Sequence, residues 1–191
     1  TDFSPYDNMI RGDMAVILAR MFEKLEQSIN AFARTQIQEG LSVREIKFKS
    51  ADECTVAFDD VEPDDYYYNA IRFMCANEIM TGVANKEFDP TAAITRAEVA
   101  TITSRTYMSI VRCLELAFKQ KITIPRTQHI SFKDVVSGDW FYNYVYDTQT
   151  LGLMSGDGDG TFAPNRSITR AEGAAVMCRL FKAIEKLLEQ L

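Results

Sequence analysis

Ile94-Thr95-Arg96-Ala97-Glu98 recurs as Ile168-Thr169-Arg170-Ala171-Glu172, each time shortly after a Phe-x-Pro, and a degenerate copy, Met9-Ile10-Arg11-Gly12-Asp13, follows Phe3-Ser4-Pro5. The segments 58–105 and 132–179 align without a gap at a constant offset of 74 residues. A sequence that repeats a supersecondary unit cannot bury the hydrophobic face of one copy alone, so the fold is a repeat array. The repeats divide the chain into a partial first unit with its linker over 1–57, a second unit with its linker over 58–131, and a third over 132–191. Function is to be sought in what repeats.

Each full unit runs Phe-x-Asp-Val, an aromatic cluster, a Gly-containing turn, Phe-x-Pro, the five-residue box and a long amphipathic stretch. Helical spacing after Asp65-Tyr66-Tyr67-Tyr68 and Asp139-Trp140-Phe141-Tyr142 predicts short helices over 65–78 and 139–152. Gly82 and Gly156, after Thr81 and Ser155, are expected to close them in the left-handed conformation that helix ends favour. Met14, Ile17, Met21, Leu25, Ile29 and Phe32, like Met177, Leu180, Phe181, Ile184, Leu187, Leu188 and Leu191, trace the apolar stripe of a long helix that faces a core. Between the units, 40–56 and 121–130 lack a helical period and read as ordered loops or short edge strands. The fold class is all-α, with at most minor strands in the linkers.

Within the box, Thr95 with Glu98 and Thr169 with Glu172 have the capping-box spacing, which predicts helix starts at 95 and 169. Capping leaves the arginine unexplained. Arg11, Arg96 and Arg170 all fall in a first helical turn, where the macrodipole disfavours a cation by roughly 0.3 to 1 kcal/mol. Two partners fit: an internal carboxylate such as Asp60, Asp65, Asp134 or Asp139, or a bound anion shared with free helix N–H groups. Tyr66 and Trp140, at the starts of the short helices, are candidate surface platforms for a sugar ring, whereas Tyr68 and Tyr142 read as core.

Composition narrows the function classes. A net charge of −6 with no basic run argues against nucleic-acid binding. No apolar stretch of about 18 residues is present, so no membrane insertion is expected, and the sequence as given does not start with a signal peptide. Cys54, Cys75, Cys113 and Cys178 lack metal-ligand spacing and read as small buried residues or disulfide partners. The single histidine, His129, has no partner for a triad or a metal site. Asp157-Gly158-Asp159-Gly160 opens like a calcium loop, but Ile168 stands where the bidentate glutamate belongs, so it reads as a glycine turn. Paired carboxylates such as Glu98 with Asp60 are the weakest reading, because capping accounts for Glu98. The chain reads as a non-enzyme without cofactor or metal.

Phe132-Lys133-Asp134-Val135, Gly156, Phe162-Ala163-Pro164 and Ile168 to Glu172, with their counterparts in the preceding unit, resemble the S-layer homology domain. That resemblance implies three repeats assembled as a pseudo-threefold, three-pronged spindle whose grooves bind pyruvylated secondary cell-wall polysaccharide of bacteria. It implies a secreted, noncovalent anchor at the cell wall or S-layer. Carried over by position, Arg96, Arg170 and Arg11 would meet the pyruvate carboxylate. Thr81-Gly82 and Ser155-Gly156 would supply backbone and hydroxyl donors, with Trp140 or Tyr66 as a wall. Ile10, Gly12 and Asp13 cannot make a capping box, so the first copy, with Arg11, is carried over less securely and reads as a relic or a structural prong. No Phe-x-Asp-Val helix precedes that copy, so a complete threefold bundle would need one from upstream residues, another chain or a remodelled array. The alternative function is a protein-interaction or self-association scaffold with vestigial grooves.

Overall fold

The computed structural model describes residues 2–124 and 131–191, so His129 and the second half of the 121–130 linker lie outside the description. Five α-helices appear among the described residues: α1 Arg11–Gln38, α2 Tyr68–Ala76, α3 Arg96–Phe118, α4 Tyr142–Thr150 and α5 Arg170–Leu188. A 3-10 turn, Ala51–Glu53, precedes α2. The fold is all-α, and among the described residues pairing between extended segments is limited to isolated bridges at Asn8–Thr169, Ala84–Glu87 and Thr95–Ser167.

The chain forms two compact units. One comprises Thr1–Met9, Ala93–Met108 and Thr123–Leu187; the other comprises Ile10–Ala92, Ser109–Ile122 and Leu188–Leu191. In the first, the repeat acquires a physical meaning. Met9 N–H donates to the Ile168 carbonyl at 2.9 Å, Ile168 N–H to Ile94 at 3.0 Å, and Ile94 N–H back to Met9 at 2.9 Å. Three equivalent residues close a ring of backbone hydrogen bonds, and all three side chains are buried. Val145, Phe162, Val176 and Leu180 are buried in the same unit.

In the second unit, α1 buries Met14, Leu18, Phe22, Leu25, Ile29 and Ala33. That stripe differs from the expected one: Ile17 is exposed, and Met21 and Phe32 are half-buried. Leu18 and Phe22 replace them because Phe22 packs edge-on against Phe48 and Phe73, with centroids 4.7 and 5.7 Å away. In α5, Phe181 is likewise exposed, while Met177, Leu180, Ile184 and Leu187 are buried.

The linker 40–56 forms no strand, and two asparagines explain why. Asn30 of α1 brackets Ile46, accepting from its N–H at 2.7 Å and donating to its carbonyl at 2.9 Å. Asn77 brackets Lys49 in the same way, at 3.0 and 2.9 Å. Side-chain amides take the place of a neighbouring strand, so the backbone polar groups are satisfied without a sheet.

The short helices begin three residues later than their periodicity suggests. Asp65 and Asp139 each accept the N–H of the residue three positions back, Glu62 and Val136, both at 2.8 Å, which holds 62–67 and 136–141 as turns. This shift moves the core position to Tyr67 and Phe141, which are buried, leaving Tyr68 and Tyr142 half-buried. The helix ends differ from expectation too. The left-handed residue that stops α2 is Glu78, with φ 60°, and the one that stops α4 is its counterpart Gly152, with φ 69°. Gly82 and Gly156 lie beyond and have ordinary φ.

Candidate functional site

The box residues position themselves locally. Glu98 N–H donates to Thr95 Oγ1 at 3.3 Å while Thr95 N–H donates to Glu98 Oε2 at 2.8 Å. Glu172 and Thr169 repeat the pair at 3.2 and 2.9 Å. Ile10 makes no side-chain cap for α1. There Asp13 instead accepts the Tyr66 hydroxyl at 2.6 Å, and Gly12 leaves room for the Tyr67 ring, which a Cβ would meet at 2.8 Å.

The N–H groups that would flank a bound anion are already engaged. In one unit, Arg11 and Gly12 donate to the carbonyls of Ala92 and Pro90 at 3.0 and 2.8 Å. In the other, Arg96 and Ala97 donate to Arg166 and Pro164, both at 2.9 Å, and Arg170 and Ala171 to Asp7 and Pro5 at 2.8 and 3.0 Å. Each box docks onto the Phe-x-Pro segment of another copy. The first-turn donors are therefore satisfied within the protein, and the free helix N-terminus expected as part of an anion site is absent at these residues.

The arginines have carbonyl partners. Arg96 Nε donates to Phe162 O and Nη2 to Ser155 O, both at 2.7 Å, with the guanidinium 4.6 Å above the Phe162 ring. Arg11 matches this with Phe88 O at 2.9 Å, Thr81 O at 3.1 Å and the Phe88 ring at 4.7 Å. Arg170 donates to Phe3 O at 3.0 Å and lies over the Phe3 ring. Thr81 and Ser155 thus serve by their carbonyls, as acceptors.

Asp60 and Asp134 hold the Phe-x-Pro turn. Asp60 accepts from Phe88 N–H at 2.9 Å and Asp89 N–H at 2.6 Å; Asp134 accepts from Phe162 and Ala163 N–H, both at 2.8 Å. The middle residue of that turn, Ser4, Asp89 or Ala163, has φ of 48°, 57° or 55°, a left-handed conformation outside glycine's usual reserve. A carboxylate gripping both amides offsets part of that strain.

Around Arg96 lies a groove of about 200 Å³, lined by Ser155, Gly156, Asp157, Glu172 and Arg179 among others. Arg96 is 6% exposed, and burial pushes its guanidinium pKa down, partly countered by Asp157. Its closest carboxylate is Asp157, at 3.9 Å. Arg166 grips Glu172 with both terminal nitrogens, at 2.9 and 3.1 Å, and reaches Asp157 at 3.4 Å. The hydrogen bonding of Arg166 to Glu172 is the main reason the Glu172 carboxyl is lowered to about 2. Arg166 and Arg179 are not candidates on sequence, and Asp157 is one only as the start of the calcium-like turn. The signal was nevertheless present, because Val83 and Ala92 of the second unit become Asp157 and Arg166 in the third, an oppositely charged pair.

Gly156 shapes the groove by close approach: an added Cβ would meet Thr161 O and the Phe132 ring, each at 2.5 Å. Gly82 has the same role against Glu87 O and the Phe58 ring. Trp140 and Tyr66 are 62% and 66% exposed. The structure does not bring Trp140 to the groove of Arg96; its ring stands edge-on to Phe141. The Asp157–Gly160 turn is closed by Asp159, which accepts from Thr161 N–H and hydroxyl at 2.9 and 2.6 Å. Among the described residues no group of three or more His, Cys, Asp or Glu side chains could hold a metal ion, and no helix is long and apolar enough to cross a membrane. All four cysteines are free thiols; Cys54 is buried, whereas Cys178 is exposed, unlike a core residue.

The profile of the S-layer homology domain matches residues 57–100 and 131–174. A cellulosome-anchoring protein of Acetivibrio thermocellus is 26% identical over 93% of this chain and 33% of its own length. The Surface-layer 125 kDa protein of Lysinibacillus sphaericus is 28% identical over 61% of the chain, and an amylopullulanase of Thermoanaerobacterium thermosulfurigenes is 28% identical over 74%. The chain spans only 9% and 7% of those two proteins.

Proposed function

The chain carries two tandem S-layer homology domains, at residues 57–100 and 131–174, and from that premise we propose that it is a noncatalytic module anchoring its parent protein to anionic, pyruvylated polysaccharide of the bacterial cell wall. The observation that carries this reading is the state of Arg96. A guanidinium stripped of most of its water, with two nitrogens fixed on carbonyls and no carboxylate within hydrogen-bonding distance, is poised for an anion. Among the described residues its Nη1 makes no hydrogen bond, and the groove beside it can admit a sugar-linked carboxylate. Arg11 and Arg170 likewise donate to Phe-x-Pro carbonyls of other copies, those of Phe88 and Phe3, and Arg170 is the most open of the three. Relatives named for an amylopullulanase, a surface layer and cellulosome anchoring share this region but no common activity in their names, which favours attachment over catalysis.

Cosedimentation with purified bacterial cell walls tests the proposal. The protein is expected to pellet with intact walls and to remain in solution with walls stripped of their pyruvylated polysaccharide. Equal pelleting with both, together with concentration-dependent oligomers in light scattering, would point instead to a self-assembling scaffold.

A further inference from the structure

Within the unit that contains α4 and α5, the groove of Arg96 holds its own anion. Asp157 Oδ1 lies 3.9 Å from Arg96 Nη2 and 3.4 Å from Arg166 Nη2, so a single carboxylate oxygen faces two guanidinium groups. Arg166 is itself fixed at two points. Its carbonyl accepts Arg96 N–H at 2.9 Å, and its side chain forms a two-nitrogen fork on Glu172. The three side chains are each a little over one-third exposed, at 38 to 39%, so all can exchange partners with a molecule from solvent. The corresponding positions of the second unit, Val83 and Ala92, carry no charge, so the device belongs to this groove alone of the two full units.

We propose that Asp157 is a built-in counter-ion of Arg96 that a ligand carboxylate displaces, and that Arg166 is a specificity-determining residue that retains Asp157 and Glu172 during the exchange. The inference rests on the carboxylate-binding reading above. Its chemistry follows from charge. Arg96, Arg166 and Arg179 face Asp157 and Glu172, leaving the groove with a net charge of about +1. An entering carboxylate takes the Arg96 edge, and Asp157 keeps Arg166 as its partner at no loss of neutralisation. The exchange makes the groove selective for a ligand whose anion reaches Arg96 directly. A neutral sugar cannot displace Asp157, and the groove stays closed to it by an internal ion pair.

Calorimetric titration with a synthetic disaccharide carrying one pyruvate ketal, and with its methyl ester, tests the exchange. Asp157→Asn is expected to bind the acid about fivefold more tightly than the unmodified protein, and to strengthen ester binding less, because the ester brings no charge to Arg96. Arg166→Gln is expected to bind the acid about fivefold more weakly at low salt, because both acids are left facing Arg96, with the gap narrowing as salt rises. Adding Asp157→Asn to Arg166→Gln should restore part of the loss, a recovery that a merely unfolded variant cannot show. Unchanged or weaker acid binding by Asp157→Asn overturns the exchange. If the acid binds the unmodified protein and Arg96→Lys removes that binding, such a result condemns the exchange alone. Failure of every variant to bind the acid overturns both the exchange and the function beneath it.

Discussion

Replacing Gly156 with alanine is expected to cost the protein roughly 3 kcal/mol, at the upper end of the range for overpacking a close-packed site. The new Cβ would lie 2.5 Å from the Thr161 carbonyl oxygen and 2.5 Å from the Phe132 ring edge. One of those is backbone, held by the Asp157 N–H donating to the same carbonyl at 3.0 Å, so it cannot swing aside. The turn must open, and with it goes the Ser155 carbonyl that receives Arg96 Nη2. At the entropy of unfolding of a chain this size, the loss corresponds to a fall of about 10 °C in melting temperature, measurable by differential scanning calorimetry. Gly138→Ala is the matched control: nothing lies within 4 Å of its Cβ and its φ is ordinary, so its effect should stay within about 0.5 kcal/mol. Equal behaviour of the two variants would refute the close-approach account.

A comparable loss, again about 3 kcal/mol, is expected for Asp134→Ala. Its carboxylate accepts two backbone N–H groups, from Phe162 and Ala163, and charge-assisted hydrogen bonds of this kind contribute about 1.5 to 3 kcal/mol each. Alanine leaves both donors without their acceptor and releases Ala163 from the left-handed conformation that the pair of bonds imposes. The effect should spread to the arginine, because the Phe162 carbonyl and ring are the seat of the Arg96 guanidinium. Asp134→Asn, which keeps one acceptor oxygen, should recover part of the stability. Chemical denaturation of the three proteins gives the comparison directly, and an Asp134→Ala variant as stable as the parent would show that the turn holds without its brace.

Much of this frame was legible in the sequence. The repeat announced itself through the boxes, and the capping residues Thr95, Glu98, Thr169 and Glu172 could be read from spacing because a capping box involves only residues three apart. Reading failed where a residue answers to something distant. Gly82 and Gly156 suggested helix ends, yet their need for glycine comes from Phe58, Phe132 and carbonyls across a turn, which local propensity does not encode. Asp60 and Asp134 looked like partners for the arginine. Their amide partners, 28 and 29 residues further on, follow only from the folded turn.

Capping leaves the arginine over, and the hydrogen bonds of Arg96 go to backbone carbonyls, with the carboxylate of Asp157 further off at 3.9 Å. Backbone carbonyls have no sequence signature, so a carbonyl cradle around Arg11 and Arg96 could not be read from residue types. A similar limit applied to 40–56. Its extended appearance was right, but the bracketing amides of Asn30 and Asn77 removed any need for a strand. Tyr67 and Phe141 displaced their neighbours from the core because Asp65 and Asp139, by accepting the N–H three residues back, held turns that delayed the helices by three residues.

The central claim is that box arginines, held by Phe-x-Pro carbonyls, present a guanidinium edge to an acidic wall glycan. Isothermal titration of the protein and its Arg96→Lys, Arg170→Lys double variant with the pyruvylated disaccharide tests it most directly. Lysine keeps the charge but lacks the planar fork that grips carbonyl and carboxylate together. The account predicts saturable binding by the parent and at least a tenfold weaker affinity for the double variant, with melting temperatures confirming that both are folded. Equal affinity in two folded proteins would contradict it.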